Sequence, residues 1–252
     1  VINVDDGRIP SELPSDRVVG DVRVLYGSAA DEKAGSMALS TSLGPVALRA
    51  AGAFDQSDDL RIPGRAVSYR LAEQQPDLPR GPSGRAPNTQ NDRKSGMVGA
   101  SWFGENAIIG ASYGVLKNDY GVPAEPGELV TIDLEQKRFD SRGEWSQSFL
   151  IFEEASYAYG FSDYQHQEIE GGDELATLVS KKAHEGRIDL IQKEYGDLHG
   201  TLGFQIQHHD LEIKGEESFL VPTETTNWGV FAVEEYHWND FRFEGGLRYE
   251  WQ

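Results

Sequence analysis

Apolar and polar residues alternate along most of this chain. In its last twelve residues, Phe241, Phe243, Gly245, Leu247, Tyr249 and Trp251 fall on one parity, and Arg242, Glu244, Gly246, Arg248, Glu250 and Gln252 on the other. Successive side chains of an extended strand point to opposite faces, so this period of two predicts a strand with one aromatic and aliphatic face and one charged face. The pattern recurs from Asp16 to Tyr26, where Val18, Gly20, Val22, Val24 and Tyr26 share a parity. It predicts further strands over Ser36–Leu43, Val46–Phe54, Met97–Phe103, Ile108–Lys117, Leu129–Trp145, Glu154–Gln167, a segment ending near Tyr195, Leu198–Ile213 and Asn227–Trp238. Together these make about eleven strands. The stretch from about 55 to 94 contains "LPRGPSGRAPNTQNDRK" and has too much Pro, Gly and Asn for a packed element, so it reads as the largest loop.

The connections between these segments alternate. The first, third, fifth, seventh and ninth read as long and polar, whereas "GP", "GD" and "ND" are tight turns, "GENA" is short and the sixth is short as well. A sandwich has no reason to keep that order, but outer-membrane barrels have short turns on one side and longer loops on the other. The expected fold is therefore all-β, an antiparallel transmembrane β-barrel with its apolar parity toward lipid and its charged parity toward the lumen. A single-chain barrel of the bacterial outer membrane has an even number of strands. Eleven thus implies either a miscount by one or part of a larger barrel.

Charge narrows the partners. The 252 residues include 42 acidic and 23 basic side chains, a formal net charge of -19. This field repels phosphate backbones and attracts cations, so no nucleic-acid partner is expected. There is no cysteine, hence neither a disulfide framework nor a thiolate metal site. No apolar run approaches the roughly 18 residues of a spanning helix, which leaves strands as the route into a membrane. No serine sits in a nucleophile-elbow context, and no phosphate loop or dinucleotide fingerprint occurs, so neither an enzyme nor a cofactor is expected.

Of the six histidines, His208 and His209 form with Asp210 the one cluster, beside Glu216 and Glu217. An imidazole with nearby carboxylates is a candidate site for a divalent metal. Against it stands the alternation of a strand, which sends neighbours to opposite faces. His166, His184, His199 and His237 are scattered and read as lumen or interface side chains. The row Arg138, Asp140, Arg142 and Glu144 reads as a charge-paired inner wall. Tyr157, Tyr159, Trp228, Tyr236, Trp238 and Trp251 read as lipid contacts and interfacial girdle.

Five stretches, "KNDYGVP", "IDLEQKRFDSRGEW", "FSDYQHQEIEGGDE", "IKGEESFLVPTETT" and "FAVEEYHWNDFRFEGGLRYEWQ", taken with the opening "VINVDDGRIP", resemble successive strand and loop signatures of TonB-dependent outer-membrane receptors. The branch they resemble includes receptors implicated in zinc uptake. The family's fold is a 22-stranded barrel closed by an N-terminal plug. The resemblance implies that residues 1–15 are the plug-to-barrel junction and 16–252 the barrel strands of an N-terminal barrel half, with the plug upstream of Val1 and the remaining strands beyond Gln252. It further implies a place in the outer membrane of a Gram-negative bacterium, in contact with lipid. The implied function is binding of a scarce solute, such as a metal ion or metal complex, and import energised by the TonB complex through the plug. The zinc-linked members usually carry a His-rich insertion after the "YGVP" position; here "AEPGELVTIDLEQ" follows it, so the substrate stays open. Two alternatives remain: a passive porin-like or small structural outer-membrane barrel, and a soluble β-rich binding protein.

Overall fold

The computed structural model describes residues 6–77, 80–123, 129–171, 174–215, 218 and 220–252. Among these, eleven strands form one antiparallel sheet in the order β1-β2-β3-β6-β7-β8-β9-β10-β11-β12-β13. Each strand pairs with its sequence neighbour, the long segment between β3 and β6 being the one interruption. The strands are β1 (Val18–Gly27), β2 (Glu32–Leu43), β3 (Val46–Ser57), β6 (Asn91–Phe103), β7 (Ala107–Val122), β8 (Val130–Trp145), β9 (Phe152–Glu170), β10 (Glu174–Gln192), β11 (Leu198–Gly215), β12 (Thr223–Trp238) and β13 (Phe241–Trp251). The segment between β3 and β6 carries a small hairpin of β4 (Arg61–Arg65) and β5 (Ser83–Arg85) and one short helix, α1 (Tyr69–Gln74).

The sheet is an up-and-down meander, and its two-residue turns β2–β3 and β12–β13 carry residues suited to their geometry. Gly44 takes φ 59° between β2 and β3, and Asn239 takes φ 52° between β12 and β13, a left-handed backbone that Gly and Asn adopt most readily.

Two expectations are corrected. The stretch 55–94 is not a featureless loop: β3 continues to Ser57, β6 starts at Asn91, and a hairpin and a helix lie between. Connections one and seven are not long either, since β1 reaches Gly27 before β2 begins at Glu32, and β9 reaches Glu170 before β10 begins at Glu174. Strands that run past the apolar zone lose the hydrophobic period but keep their ladder hydrogen bonds, so a search for alternating apolar residues ends them too early.

The faces of the sheet follow from pairing, because directly opposed residues share a face. Val24, Gly35 and Phe54 line up across β1 to β3, and Val98, Tyr113, Phe139 and Phe161 across β6 to β9. This apolar face is bare: Val24 is 83% exposed, Val98 60% and Leu247 83%. A soluble sandwich would bury such a face against a second layer. Here the buried apolar side chains among the described residues are few, Ala47, Ala107 and Ile9 among them.

Counting outward from the tight-turn end, the first formally charged residues on this face are Lys33, Lys94, Lys117, Lys137, Lys182 and Asp210 on six of the strands. On β6 the apolar zone runs from Trp102 to Lys94, eight residues, or about 27 Å along the strand and about 20 Å along the normal at barrel tilt. That is close to the roughly 25 Å band of outer-membrane barrels. Glu234, the one acid inside the zone on β12, lies near the tight-turn end and accepts a hydrogen bond from Gln192 Nε2 at 2.7 Å.

Candidate functional site

The opposite face is polar and carries the features a solute could meet. Its charges come in Arg-x-Asp and Arg-x-Glu steps, because residues two apart on a strand point the same way and lie within reach of one another. Arg138 Nε sits 3.0 and 2.9 Å from the two oxygens of Asp140, and Arg187 forms two 2.7 Å bonds with Asp189. Arg248 pairs with Glu250 at 2.5 Å and Arg242 with Glu244 at 3.0 Å. The row Arg138, Asp140, Arg142 and Glu144 is thus an inner wall, with its first two members paired to each other.

Residues 6–10 cross this wall. Arg142 Nη2 donates to the Ile9 carbonyl at 2.8 Å, Ser101 Oγ donates to the Pro10 carbonyl at 2.6 Å, and Arg8 Nη1 lies 3.5 Å from Asp140 Oδ2. Two glycines make room for them. A Cβ on Gly99 of β6 would run into the Arg8 carbonyl oxygen, and one on Gly110 of β7 into the Ile9 side chain. The face that accepts this segment is the charged one, the face that lines the interior in the transmembrane β-barrel class.

Beside the segment lies a hollow of about 450 Å³, lined by Arg8, Asp21, Asp55, Arg93 and Arg138 among small residues such as Ala51 and Ala53. A second, of about 370 Å³, is lined by Arg8, Asp140, Glu185 and Arg187. Both are large enough for a few waters or a small polar solute.

The histidines separate by face. His208 and Asp210 project outward with Glu224, their cross-strand neighbour; His208 Nε2 lies 3.3 Å from Asp210 Oδ1 and 3.9 Å from Glu224 Oε1. Thr226 Oγ1 is 2.8 Å from the other ring nitrogen, which holds the imidazole in place. His209, expected to share the site, faces the interior opposite Thr225, with Nδ1 buried and without a hydrogen-bond partner among the described residues. The reason is the strand period itself. Glu216 and Glu217, expected beside this cluster, lie outside the described residues.

His184 is also outward, at 2.8 Å from the Tyr159 hydroxyl and against Phe161. His166 faces the interior beside Tyr164. Sequence reasoning missed a second group on the inner wall: His199, Glu235 and His237, whose ligand atoms all lie within 4.8 Å of one another. The signal available was the same-face step Glu235-x-His237, but its partner His199 is supplied by another strand.

At the outer end, the segment between β3 and β6 is tied to the β1–β2 turn. Asp31 accepts from Tyr26 Oη at 3.2 Å and Arg85 Nη2 at 3.4 Å, and pairs with Arg61. Partial desolvation raises the Asp31 pKa, but the Arg61 charge, the bonds from Tyr26 and Arg61 and the Arg85 charge outweigh it, so the carboxyl sits below its ordinary value.

No family model matches the chain. Solved structures superpose on nearly all of it. The FrpB iron transporter from Neisseria meningitidis (F3-3 variant) matches with a TM-score of 0.73 at 11% identity, over 98% of this chain and 42% of that one. The copper transporter OprC matches with a TM-score of 0.68 at 15% identity, over 96% and 37%. The ferric citrate transporter FecA in the unliganded form matches with a TM-score of 0.60 at 13% identity, over 94% and 39%. These neighbours are TonB-dependent outer-membrane receptors. The likeness assigns the fold: an antiparallel sheet of the transmembrane β-barrel class. The chain spans about two fifths of the length of these neighbours.

Proposed function

We propose that this chain is the N-terminal part of the barrel of a TonB-dependent outer-membrane receptor, with residues 1–15 as the junction between plug and barrel. It lies in the outer membrane of a Gram-negative bacterium and takes up a scarce solute, a metal ion or metal complex. The observation that carries the reading is the two-faced sheet: one face bare and apolar over about 20 Å, the other charged and crossed by Arg8, Ile9 and Pro10. The resemblance to the zinc-uptake branch and the likeness to a copper transporter and an iron transporter support a metal as the cargo. So does the charge of -19, which concentrates cations at the surface. The work done is selective binding and gating, without covalent chemistry.

The first test is the denatured mass of the intact polypeptide from isolated outer membranes, detected through the peptide "FEGGLRYEWQ". A mass several-fold above 27.9 kDa, with metal uptake lost when TonB is deleted, is the expected result. A mass of 27.9 kDa in the membrane fraction would replace the receptor with a small barrel. The same mass in the soluble fraction would replace it with a soluble β-rich binding protein. His208 and Asp210, joined by Glu224, are proposed as a cation-capturing group at the outer end; His208→Ala is expected to weaken zinc binding there, and an unchanged calorimetric titration would remove that role.

A further inference from the structure

We propose that His199, Glu235 and His237 form a second divalent-cation site, on the interior face at the tight-turn end of the sheet. Three facts of placement build it. His199 on β11 is paired directly across the ladder with Glu235 on β12, and His237 stands two residues beyond Glu235 on the same face. Both imidazoles therefore meet one carboxylate. His237 Nε2 lies 2.5 Å and His199 Nε2 4.0 Å from the same oxygen, Glu235 Oε1, and the two rings stack at 6.0 Å with 23° between their planes.

Two imidazoles and one carboxylate are the donor set of a borderline divalent cation, zinc(II) first. In a tetrahedral zinc site with bonds of about 2.0–2.1 Å, donor atoms stand about 3.3 Å apart. Both imidazole-to-Glu235 distances differ from this by less than about 1 Å, and all three donor atoms already lie within 4.8 Å of one another, so small side-chain torsions would bring them to a common ion. A water would take the fourth position, since the rings are open to the interior.

The other carboxylate oxygen is already engaged. Arg242 Nη2 lies 2.5 Å from Glu235 Oε2 and 3.0 Å from Glu244 Oε2. This fixes the carboxylate with Oε1 turned to the histidines, as outer partners orient metal ligands elsewhere. The group is separate from His208, Asp210 and Glu224, which face outward at the far end of the same two strands. Its existence does not depend on the receptor reading. On that reading it would hold a cation at the periplasmic end of the barrel wall.

The experiment is cobalt(II) and zinc(II) titration of the purified full-length protein in detergent, with cobalt followed by its visible d–d absorption and zinc by calorimetry. The variants are His208→Ala alone, to silence the outward group, and His208→Ala combined with His199→Ala or His237→Ala. The expected result is a tetrahedral cobalt band that survives His208→Ala and an affinity that falls at least tenfold with either inner histidine removed. Metal affinity should also fall as pH drops through the imidazole range, because protons compete for the ring nitrogens. Unchanged binding in both combined variants, or no cobalt band in His208→Ala, would overturn the site. Neither outcome bears on the outer-membrane mass test, so the two proposals fail separately.

Discussion

Val98 offers a direct test of which medium the apolar face meets. It lies on β6 between Ala50 and Tyr113, four residues from Trp102 at the tight-turn border and four from Lys94 at the charged border, and is 60% exposed. Four residues correspond to about 13 Å along a strand, or about 10 Å along the membrane normal at barrel tilt, which puts Val98 near the midplane. Arginine at such a lipid-facing position costs about 2–4 kcal/mol, a roughly 30- to 1,000-fold drop in the folding equilibrium constant. If the face met water, replacing an already exposed valine by arginine would change stability by no more than about 0.5 kcal/mol. Urea unfolding and refolding of the full-length protein in lipid vesicles, followed by tryptophan fluorescence and by heat-dependent gel mobility, measures the difference. Gln56→Arg, outward but beyond the apolar border, is the control, with an expected cost of about 0–1 kcal/mol. Equal urea midpoints for Val98→Arg and Gln56→Arg would refute the assignment of this face to lipid.

Two further predictions address the segment inside and the loop outside. Gly99→Val would push a side chain into the Arg8 carbonyl and lift residues 8–10 off the wall, so trypsin should cut after Arg8 faster in the variant; equal rates would mean that the segment is not seated there in solution. For the outer loop, the lowered pKa of Asp31 sets the sign of its pH dependence. A depressed carboxyl stabilises the folded form above its unfolded value of about 3.9, and that contribution is lost as pH falls through the depressed native value. Amide-exchange protection factors over residues 58–77 and 80–90, that is, rates divided by the intrinsic rate at each pH, should therefore be high at neutral pH and fall below about pH 4. Asp31→Asn should show the reduced protection already at neutral pH, and a variant as protected as the native chain would remove Asp31 as the tie.

How much of this could be read from the chain differs by feature. Alternation is a local property, fixed by the geometry of an extended backbone, so Phe241 to Trp251 announced both a strand and its two faces, and the eleven strands of the sheet followed in the same way. The row from Arg138 to Glu144 was legible as a wall for the same reason. Where both faces of a strand are largely polar, as at the outer end of β9, or carry apolar residues on both parities, as at the outer end of β10, the local signal vanishes although the backbone ladder continues. Cross-strand neighbours lie further still from the sequence. Glu235 and His237 announce a shared face, yet His199 reaches them only because the register of β11 on β12 sets it opposite Glu235, and a slip of one residue would send it to the other side. His208 and His209 are adjacent in the chain and part company in space, while Glu224 joins His208 from across the ladder. By itself the sequence determined the strands of the main sheet and their two faces, since these depend on period and charge. The tertiary structure alone decided which side chains meet, because that depends on register.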